Sequence, residues 1–350
     1  MYSKILIRAT NWIGDAVMSL PAIRAVRARF PQAHIAVLAR PWVGDLYARE
    51  TCIDRVIPYL PAKGARDFAA KWRLAATLRR EQFDCAILLQ NAFEAAAVAR
   101  LAAIPRRIGY ARDGRGWLLT AAIPVPRTGE IPRHERFYYL ELLRRAGIVD
   151  GIPPVPVIRL EGADAAAREG AARFERLGIP PAAIGVSPGA AYGGAKRWLS
   201  ERFAQAARQL QQAQGGPVVL FGSADERPLC ETVAESIRAA GGAVWNLAGQ
   251  TSLGEFIQLA AACRLFVTND SGAMHIASAL GVPTVAVFGA TDDTTTGPAG
   301  ECVGVIRHPV ECSPCLLREC PIDHRCMTGV TVERVAAESL VLLRSHYGHT

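Results

Sequence analysis

The 350-residue sequence has no apolar run of the length that spans a bilayer, which is about 20 residues. Near the amino terminus, the apolar stretch Ile5–Ile7 is flanked by Lys4 and Arg8 and is too short for the apolar core of a signal peptide. Aromatic residues make up only 7% of the chain, whereas half of all residues are hydrophobic, which is ordinary for a globular protein with a large core. These features predict a cytoplasmic protein.

Three common ligand-binding motifs are also missing from the sequence. No Gly-x-Gly-x-x-Gly follows the first predicted strand, which argues against dinucleotide binding, and no Gly-Lys-Ser/Thr phosphate loop of the Walker type occurs. There is no Asp-x-Asp pair in the chain. We therefore do not expect a diphosphate that is bridged to carboxylates by a metal ion.

The charge is divided unevenly along the chain. Residues 1–150 carry 24 Lys and Arg against 13 Asp and Glu, a net of +11, whereas residues 151–350 carry 16 against 19, a net of −3. A basic half can attract nucleic acid, anionic lipid or a phosphorylated substrate. Much of the surplus is arginine between Arg66 and Arg136. The simpler alternative is that these arginines only keep an alanine-rich protein soluble.

Apolar periodicity predicts two α/β halves. Short apolar runs such as Lys4–Arg8 and His34–Ala39 alternate with helical patterns such as Asp15–Arg29, which indicates parallel sheets covered by helices. Residues 147–160 contain three prolines and two glycines and are the best linker candidate. We predict two Rossmann-like domains, residues 1–160 and 161–350, facing each other across a ligand cleft.

The stretch Val267–His275 joins a predicted strand to a predicted helix and places Asp270, Ser271 and Gly272 at the helix amino terminus. Such junctions bind anions, because helix N–H groups and the helix dipole favour negative charge there. The plainer alternative is that Asp270 or Ser271 only caps the helix.

A second junction, Ser187–Trp198, is rich in glycine and carries Lys196. Glycines let backbone N–H groups approach a phosphate, and a lysine supplies a compact positive charge. Two further junctions follow predicted strands at Thr10–Asp15 and Phe221–Asp225. Three of the four junctions therefore lie in the second half, which predicts that this half binds a phosphate-bearing ligand.

Five short motifs occur in an order that resembles the ADP-heptose:lipopolysaccharide heptosyltransferases, glycosyltransferase family 9, and within it the heptosyltransferase II branch. The motifs are Trp12–Ala22, Pro188–Ala190 with Ala195–Trp198, Leu220–Ser223, Asn246–Gly249 and Thr268–His275. Each motif is weak by itself, but their common order over residues 4–298 is specific. The resemblance implies a GT-B fold and an inverting glycosyltransferase that needs no metal for catalysis.

The resemblance also implies roles for individual residues. Asp15 matches the catalytic base, and Lys196 matches the lysine that contacts the donor phosphate and sugar. The first-rank donor contacts are Lys196, Asp270, Ser271, Gly272 and His275, and the second-rank ones are Ala190, Ala191, Ser223 and Met274. The alternatives are that Asp15 is a plain cap and that His275 is a packed helix residue. In this family the final helix, here residues 331–345, typically packs back on the amino-terminal domain.

The resemblance implies the partners as well: an ADP-heptose donor and a phosphorylated acceptor of the Kdo-lipid A type. Such an acceptor would explain the positive charge of residues 1–150, because arginines bind phosphates in bidentate fashion and dock on anionic lipid. We expect the protein to associate peripherally with the inner face of the inner membrane. Other members of the family, another sugar donor or a GT-B nucleotide-sugar epimerase are alternatives. The non-enzymatic alternative is a protein that binds nucleic acid, but the sequence has no recognition helix or aromatic–basic platform for that role.

Nine cysteines divide into two groups. Cys52, Cys85, Cys230 and Cys263 are isolated and are expected to be small buried hydrophobes. The other five lie from Cys302 on, and four of them, Cys312, Cys315, Cys320 and Cys326, have the number that suits a structural zinc or iron–sulfur site. Reduced thiols or a disulfide-bonded loop are the alternatives. The cluster is expected to be structural and not catalytic.

Overall fold

The computed structural model describes residues 2–60, 62 and 65–348. It divides into two compact units, residues 1–155 and 156–350, so the boundary lies five residues before the predicted one. No helix in these described ranges is both long enough and apolar enough to cross a bilayer.

Among its described residues, the first unit has a six-stranded parallel sheet and five α-helices. Its strands are β1 (Lys4–Arg8), β2 (His34–Ala39), β3 (Arg55–Pro58), β4 (Cys85–Leu88), β5 (Arg106–Tyr110) and β6 (Ala121–Ile123). Its helices are α1 (Ile13–Arg29), α2 (Pro41–Tyr47), α3 (Ala65–Arg80), α4 (Phe93–Leu101) and α5 (Glu135–Arg145). The strand order is β3-β2-β1-β4-β5-β6, which is the order of a dinucleotide-binding Rossmann sheet.

The second unit repeats this topology. Its strands are β7 (Ile184–Ser187), β8 (Val218–Leu220), β9 (Val244–Asn246), β10 (Leu265–Asn269), β11 (Thr284–Phe288) and β12 (Val303–Arg307). Its helices are α6 (Ala163–Arg176), α7 (Ser200–Gln214), α8 (Arg227–Ala239), α9 (Leu253–Ala261), α10 (Gly272–Ala279), α11 (Asp293–Thr296), α12 (Arg325–Thr328) and α13 (Val332–Tyr347). The strand order of its sheet is β12-β11-β10-β7-β8-β9. Read from the opposite edge, this order has the same connectivity as the first sheet, with β7 in the place of β1.

The central strands β7, β10 and β11 are buried along their whole length, as expected for a parallel sheet covered on both faces. The final helix α13 packs against α7 and against the strands β10, β11 and β12 of its own unit. Its buried residues Val335 and Leu343 belong to the core of that unit. The expected return of this helix to the first unit remains a prediction.

Candidate functional site

The predicted site residues follow the central strands of both sheets. Strand order reverses between β1 and β4 in the first unit and between β7 and β10 in the second. Open α/β sheets bind ligands beyond the carboxyl ends of the strands at such a reversal. Asp15 follows β1, the glycine-rich loop 188–196 follows β7, and Asp270 follows β10. The topology therefore brings Lys196 and Asp270 to one edge of the second sheet.

Lys196 and Asp270 form an ion pair at this edge. The Nζ atom of Lys196 lies 2.6 Å from Oδ2 of Asp270, and the Thr291 hydroxyl donates to the same oxygen at 2.5 Å. Only 4% of the Asp270 side chain and 14% of the Lys196 side chain is exposed, so water screens the pair weakly. The ammonium group also lies 4.9 Å from the ring centre of Tyr192. Asp270 thus orients Lys196. The direct contact of Asp270 with a donor stays a prediction.

Asn269, which precedes Asp270, joins the two ends of the glycine-rich loop. Its Nδ2 donates to the carbonyl oxygen of Pro188 at 2.7 Å, and its Oδ1 accepts from the backbone N–H of Trp198 at 2.9 Å. The side chain is fully buried. Asn269 lies inside one of the five sequence motifs but had no predicted role, although a buried amide at a strand end signals a need for hydrogen-bond partners.

Replacing Asn269 by leucine should lower the free energy of unfolding by about 2–4 kcal/mol, because two buried partners lose their hydrogen bonds. Urea unfolding of the full chain measures this loss. Gln212→Leu, on the exposed face of α7, is the matched control and should change stability by less than about 0.5 kcal/mol. Equal stability of the two variants would show that Asn269 does not hold the loop.

The amino terminus of α10 has no side-chain cap. Ser271 is the N-cap residue, but its side chain makes no capping hydrogen bond, and its hydroxyl lies 3.2 Å from that of Thr268. Ser271 and Gly272 are half-buried. The Ser271 side chain therefore does not act as a helix cap. The first N–H groups of α10 point to the edge of the sheet where Lys196 lies.

The other predicted donor contacts differ in accessibility. Ala190, Met274 and His275 are buried, and Met274 belongs to a small cluster with Phe288. Ala191 is exposed. Burial suits packing better than ligand contact, so for these three buried residues the assignment stays a prediction.

Ser223 begins a short helical turn and is engaged with Glu226. The Glu226 carboxylate accepts from the backbone N–H and the hydroxyl of Ser223, at 2.8 and 3.1 Å. A Cβ atom at Gly189 would overlap this carboxylate, so Glu226 lies directly against the glycine-rich loop. Sequence reasoning missed Glu226, although a Ser-x-x-Glu pattern signals a capping box.

Asp15 lies in the first turn of α1, where the helix dipole stabilises a negative charge. Two buried tyrosines, Tyr47 and Tyr139, sense its charge: burial raises the pKa of Tyr47 to about 12, and the charge of Asp15 adds to the rise. Burial and then the charge of Asp15 also raise the pKa of Tyr139 and of Glu135. Glu135, at the start of α5, is a second carboxyl group near Asp15 that the sequence motifs did not single out.

Part of the arginine surplus of the first unit is structural. Arg115 is fully buried and donates to the carbonyl oxygens of Tyr110 and Gln90 and to the Asn91 side chain. Arg107 donates to the carbonyl oxygen of Leu118 at 2.7 Å. These arginines hold loops beside β5 and are not free to bind an acceptor phosphate, so the predicted basic face is smaller than the charge count indicates.

The isolated cysteines are buried, as predicted, whereas the four clustered ones line a cavity of about 70 Å³ together with His324. No disulfide joins Cys312, Cys315, Cys320 or Cys326. Among the described residues, no group of three or more His, Cys, Asp or Glu side chains is arranged to hold a metal ion. The sulfurs therefore share one cavity without forming a preassembled ligand set.

The cysteine segment supports the glycine-rich loop. The backbone N–H of Ala195 donates to the carbonyl oxygen of Arg318 at 2.9 Å, and the N–H of Gly194 donates to the Glu319 carboxylate at 2.9 Å. The His324 ring lies 3.0 Å from the carbonyl oxygen of Ala195. The segment therefore fixes the loop just before Lys196.

Two Rossmann-like sheets, each with polar residues at its reversal point, are the arrangement of the GT-B fold, which the chain shares with solved heptosyltransferase structures. The model of glycosyltransferase family 9 (heptosyltransferase) matches residues 71–325. The chain belongs to this family and is a glycosyltransferase.

Individual relatives agree with this assignment. Lipopolysaccharide heptosyltransferase 2 of Salmonella typhimurium is 34% identical over 87% of this chain and 88% of its own. Lipooligosaccharide heptosyltransferase 2 of Haemophilus influenzae is 33% identical over the same shares. The structure of Escherichia coli ADP-heptose lipopolysaccharide heptosyltransferase II superimposes with a TM-score of 0.81 at 31% identity, covering 98% of this chain and 99% of that one. The predicted family and fold are confirmed.

Proposed function

We propose that this protein is an inverting heptosyltransferase of the heptosyltransferase II type. It transfers L-glycero-D-manno-heptose from ADP-heptose to the inner core of lipopolysaccharide. The observation that carries the proposal is the weakly screened Lys196–Asp270 pair beside the uncapped amino terminus of α10. The heptosyltransferase 2 of Salmonella typhimurium and the ADP-heptose lipopolysaccharide heptosyltransferase II of Escherichia coli indicate the class of donor and acceptor.

The donor diphosphate needs positive charge, and the second unit offers two sources of it. Lys196 keeps N–H donors beyond the one that it gives to Asp270, since an ammonium group has three. The first N–H groups of α10 add their partial charges. Together they would bind the diphosphate in the ground state and stabilise the charge that develops on ADP as it leaves.

The reaction is a single displacement at the anomeric carbon of the donor. An acceptor hydroxyl oxygen forms a bond to C1 of the heptose while the bond from C1 to the diphosphate oxygen breaks and ADP departs. The acceptor oxygen attacks C1 on the face opposite the leaving group, and this attack inverts the configuration. On the same face, Asp15 takes the proton of the hydroxyl group. Its place in the first turn of α1 favours the ionised form that a base requires.

The acceptor is a phosphorylated, lipid-linked saccharide of the Kdo-lipid A type. The net charge of +11 in residues 1–150 favours such an anion and an anionic membrane surface. We therefore place the protein in the cytoplasm, peripherally on the inner face of the inner membrane.

Any metal in the cysteine cluster is proposed to be structural, a zinc ion or an iron–sulfur cluster, and none is required for catalysis. Four thiols are enough for such a site, but they would have to move together to bind it. Because the cysteine segment hydrogen-bonds the loop that carries Lys196, a metal there would act on stability and loop position.

A transfer assay tests the proposed function. The purified protein is incubated with ADP-heptose and truncated lipopolysaccharide acceptors, and products are identified by mass spectrometry. We expect one heptose to be added, equally well after brief treatment with a chelator, and no addition from UDP-linked sugars. Transfer from a UDP-linked sugar alone, or immediate loss of activity in the chelator, would contradict the proposal.

A further inference from the structure

The first unit exposes an unusual number of large aromatic side chains. The chain has six tryptophans, and Trp12, Trp42, Trp72 and Trp117 are each at least 50% exposed. Tryptophan is normally well buried, so four exposed ones in a single unit need an explanation. With them we group three further exposed residues and name the set the aromatic rim, which consists of Trp12, Trp42, Leu60, Phe68, Trp72, Phe93 and Trp117.

The aromatic rim follows the carboxyl ends of the strands. Trp12 comes after β1, Trp42 after β2, Leu60 after β3, Phe93 after β4 and Trp117 after β5. Phe68 and Trp72 lie in the first two turns of α3, the helix that follows β3. Since the strands are parallel, these positions share one edge of the sheet.

Side-chain contacts connect the two halves of the rim. The rings of Phe68 and Trp72 are 6.1 Å apart, and those of Phe93 and Trp117 are 6.2 Å apart. Lys71 lies between Phe68 and Trp72 in sequence, and its ammonium is 2.9 Å from the carboxylate of Glu94, which follows Phe93. The two aromatic pairs are therefore parts of one surface.

The Glu94 carboxylate also connects the rest of the rim. It lies 3.6 Å from Arg40, whose guanidinium is 5.7 Å from the ring centre of Trp42. The Trp42 indole donates to the carbonyl oxygen of Asn11, the residue before Trp12. Glu94 is surrounded by cations, so the rim contributes little uncompensated negative charge.

Basic residues extend the rim along α3. Phe68, Trp72, Ala76 and Arg80 recur every four residues and are all exposed, so they form one stripe of the helix. Arg100 stacks over the Trp117 ring at 5.9 Å. Helices that lie in the plane of a membrane interface combine exposed Trp and Phe with Lys and Arg side chains, and α3 exposes both kinds.

We propose that the aromatic rim docks the first unit on an anionic lipid bilayer. The inference deepens the proposed function, on which it rests for the lipid-linked acceptor. Tryptophans favour the boundary between headgroups and acyl chains, and the basic charge of this half complements acidic phospholipids. The rim is formed by loops and helix starts along one edge of a sheet, so several of its side chains can enter the headgroup layer together.

Vesicle binding of the full chain tests this proposal. Wild-type protein should sediment with vesicles of phosphatidylethanolamine and phosphatidylglycerol, less with phosphatidylcholine, and less as salt rises. Phe68→Ser/Trp72→Ser should weaken binding to the anionic vesicles by at least about tenfold, since two apolar side chains no longer leave water. Leu177→Ser, at an exposed apolar residue of the second unit, should bind like the wild type.

A second readout separates this proposal from the proposed function. On a deacylated, water-soluble acceptor, the Phe68→Ser/Trp72→Ser variant should keep the wild-type rate, whereas on acceptor embedded in vesicles its rate should fall. If the wild type transfers heptose to neither acceptor, the proposed function is wrong. The vesicle-binding result would then still test whether the aromatic rim docks on the bilayer. Equal vesicle binding by variant and wild type would overturn the docking. A change in the lipid-free oligomeric state of the variant would also overturn it, in favour of a protein interface.

Discussion

Replacing Asp15 by asparagine is expected to slow heptose transfer by at least about a hundredfold while ADP-heptose binding persists. The amide has nearly the same shape but cannot take the proton of the acceptor hydroxyl. A general base contributes about 10²–10⁴-fold to rate, so kcat should fall by that factor. The donor diphosphate is assigned to the second unit, so the Kd for ADP-heptose measured by calorimetry should change less than about twofold.

Asp113→Asn is the matched control for this substitution. Asp113 is an exposed aspartate of the same unit, and its backbone has a positive φ of 53°, which asparagine tolerates. The control should retain the wild-type kcat and stability. If Asp15→Asn turns over at a near-normal rate, the assignment of the base is wrong. Glu135, whose pKa is raised by burial and by the charge of Asp15, would then be the next carboxyl group to replace.

Replacing Lys196 by methionine should weaken ADP-heptose binding by about ten- to a hundredfold, because a charge-assisted hydrogen bond to the diphosphate is lost. The same change leaves Asp270 buried without its cation, which should lower the free energy of unfolding by about 3–5 kcal/mol. Calorimetry and urea unfolding measure the two effects separately.

The double variant Lys196→Met/Asp270→Asn distinguishes a binding defect from a folding defect. It removes both charges, so most of the lost stability should return, whereas donor affinity should stay low because Lys196 is still missing. If donor affinity also recovers, Lys196 acts only as a structural partner of Asp270. Unchanged affinity in the single variant would likewise contradict a role at the diphosphate.

The central elements of both sheets could be predicted because they are apolar and regularly spaced. The observed β1 and β2 match the predicted ranges, and α13 differs from its predicted range by at most two residues at either end. The edge strands β3 and β9 were not predicted. They have three or four residues each and contain exposed or half-buried positions, so their composition carries no apolar run.

The sequence motifs predicted residues for a donor site, but not the contacts among them. The motifs pointed to Lys196 and Asp270 separately, and the 2.6 Å pair between them depends on how β7 and β10 are aligned. In that alignment Thr268 lies beside Ser187, so Asn269 comes level with Pro188 and can bridge the loop. Sequence spacing alone carries no information on register between strands that are about 80 residues apart.

The charge count similarly could not separate binding arginines from structural ones. Arg8 and Arg115 are buried, and burial lowers the pKa of each guanidinium to about 10. Four carbonyl oxygens surround the Arg115 side chain, which explains why a cation is tolerated there. Only the exposed arginines remain for anionic partners.

A transfer assay with a graded series of acceptors decides whether the proposed reaction is correct. ADP-heptose is offered with saccharides that end in Kdo, in one heptose or in two, and mass spectrometry and nuclear magnetic resonance identify each product. We expect one heptose to be added to one of these acceptors, with inverted configuration at C1 and release of ADP. Retained configuration, or no addition to any acceptor by folded protein that binds ADP-heptose, would contradict the proposed reaction.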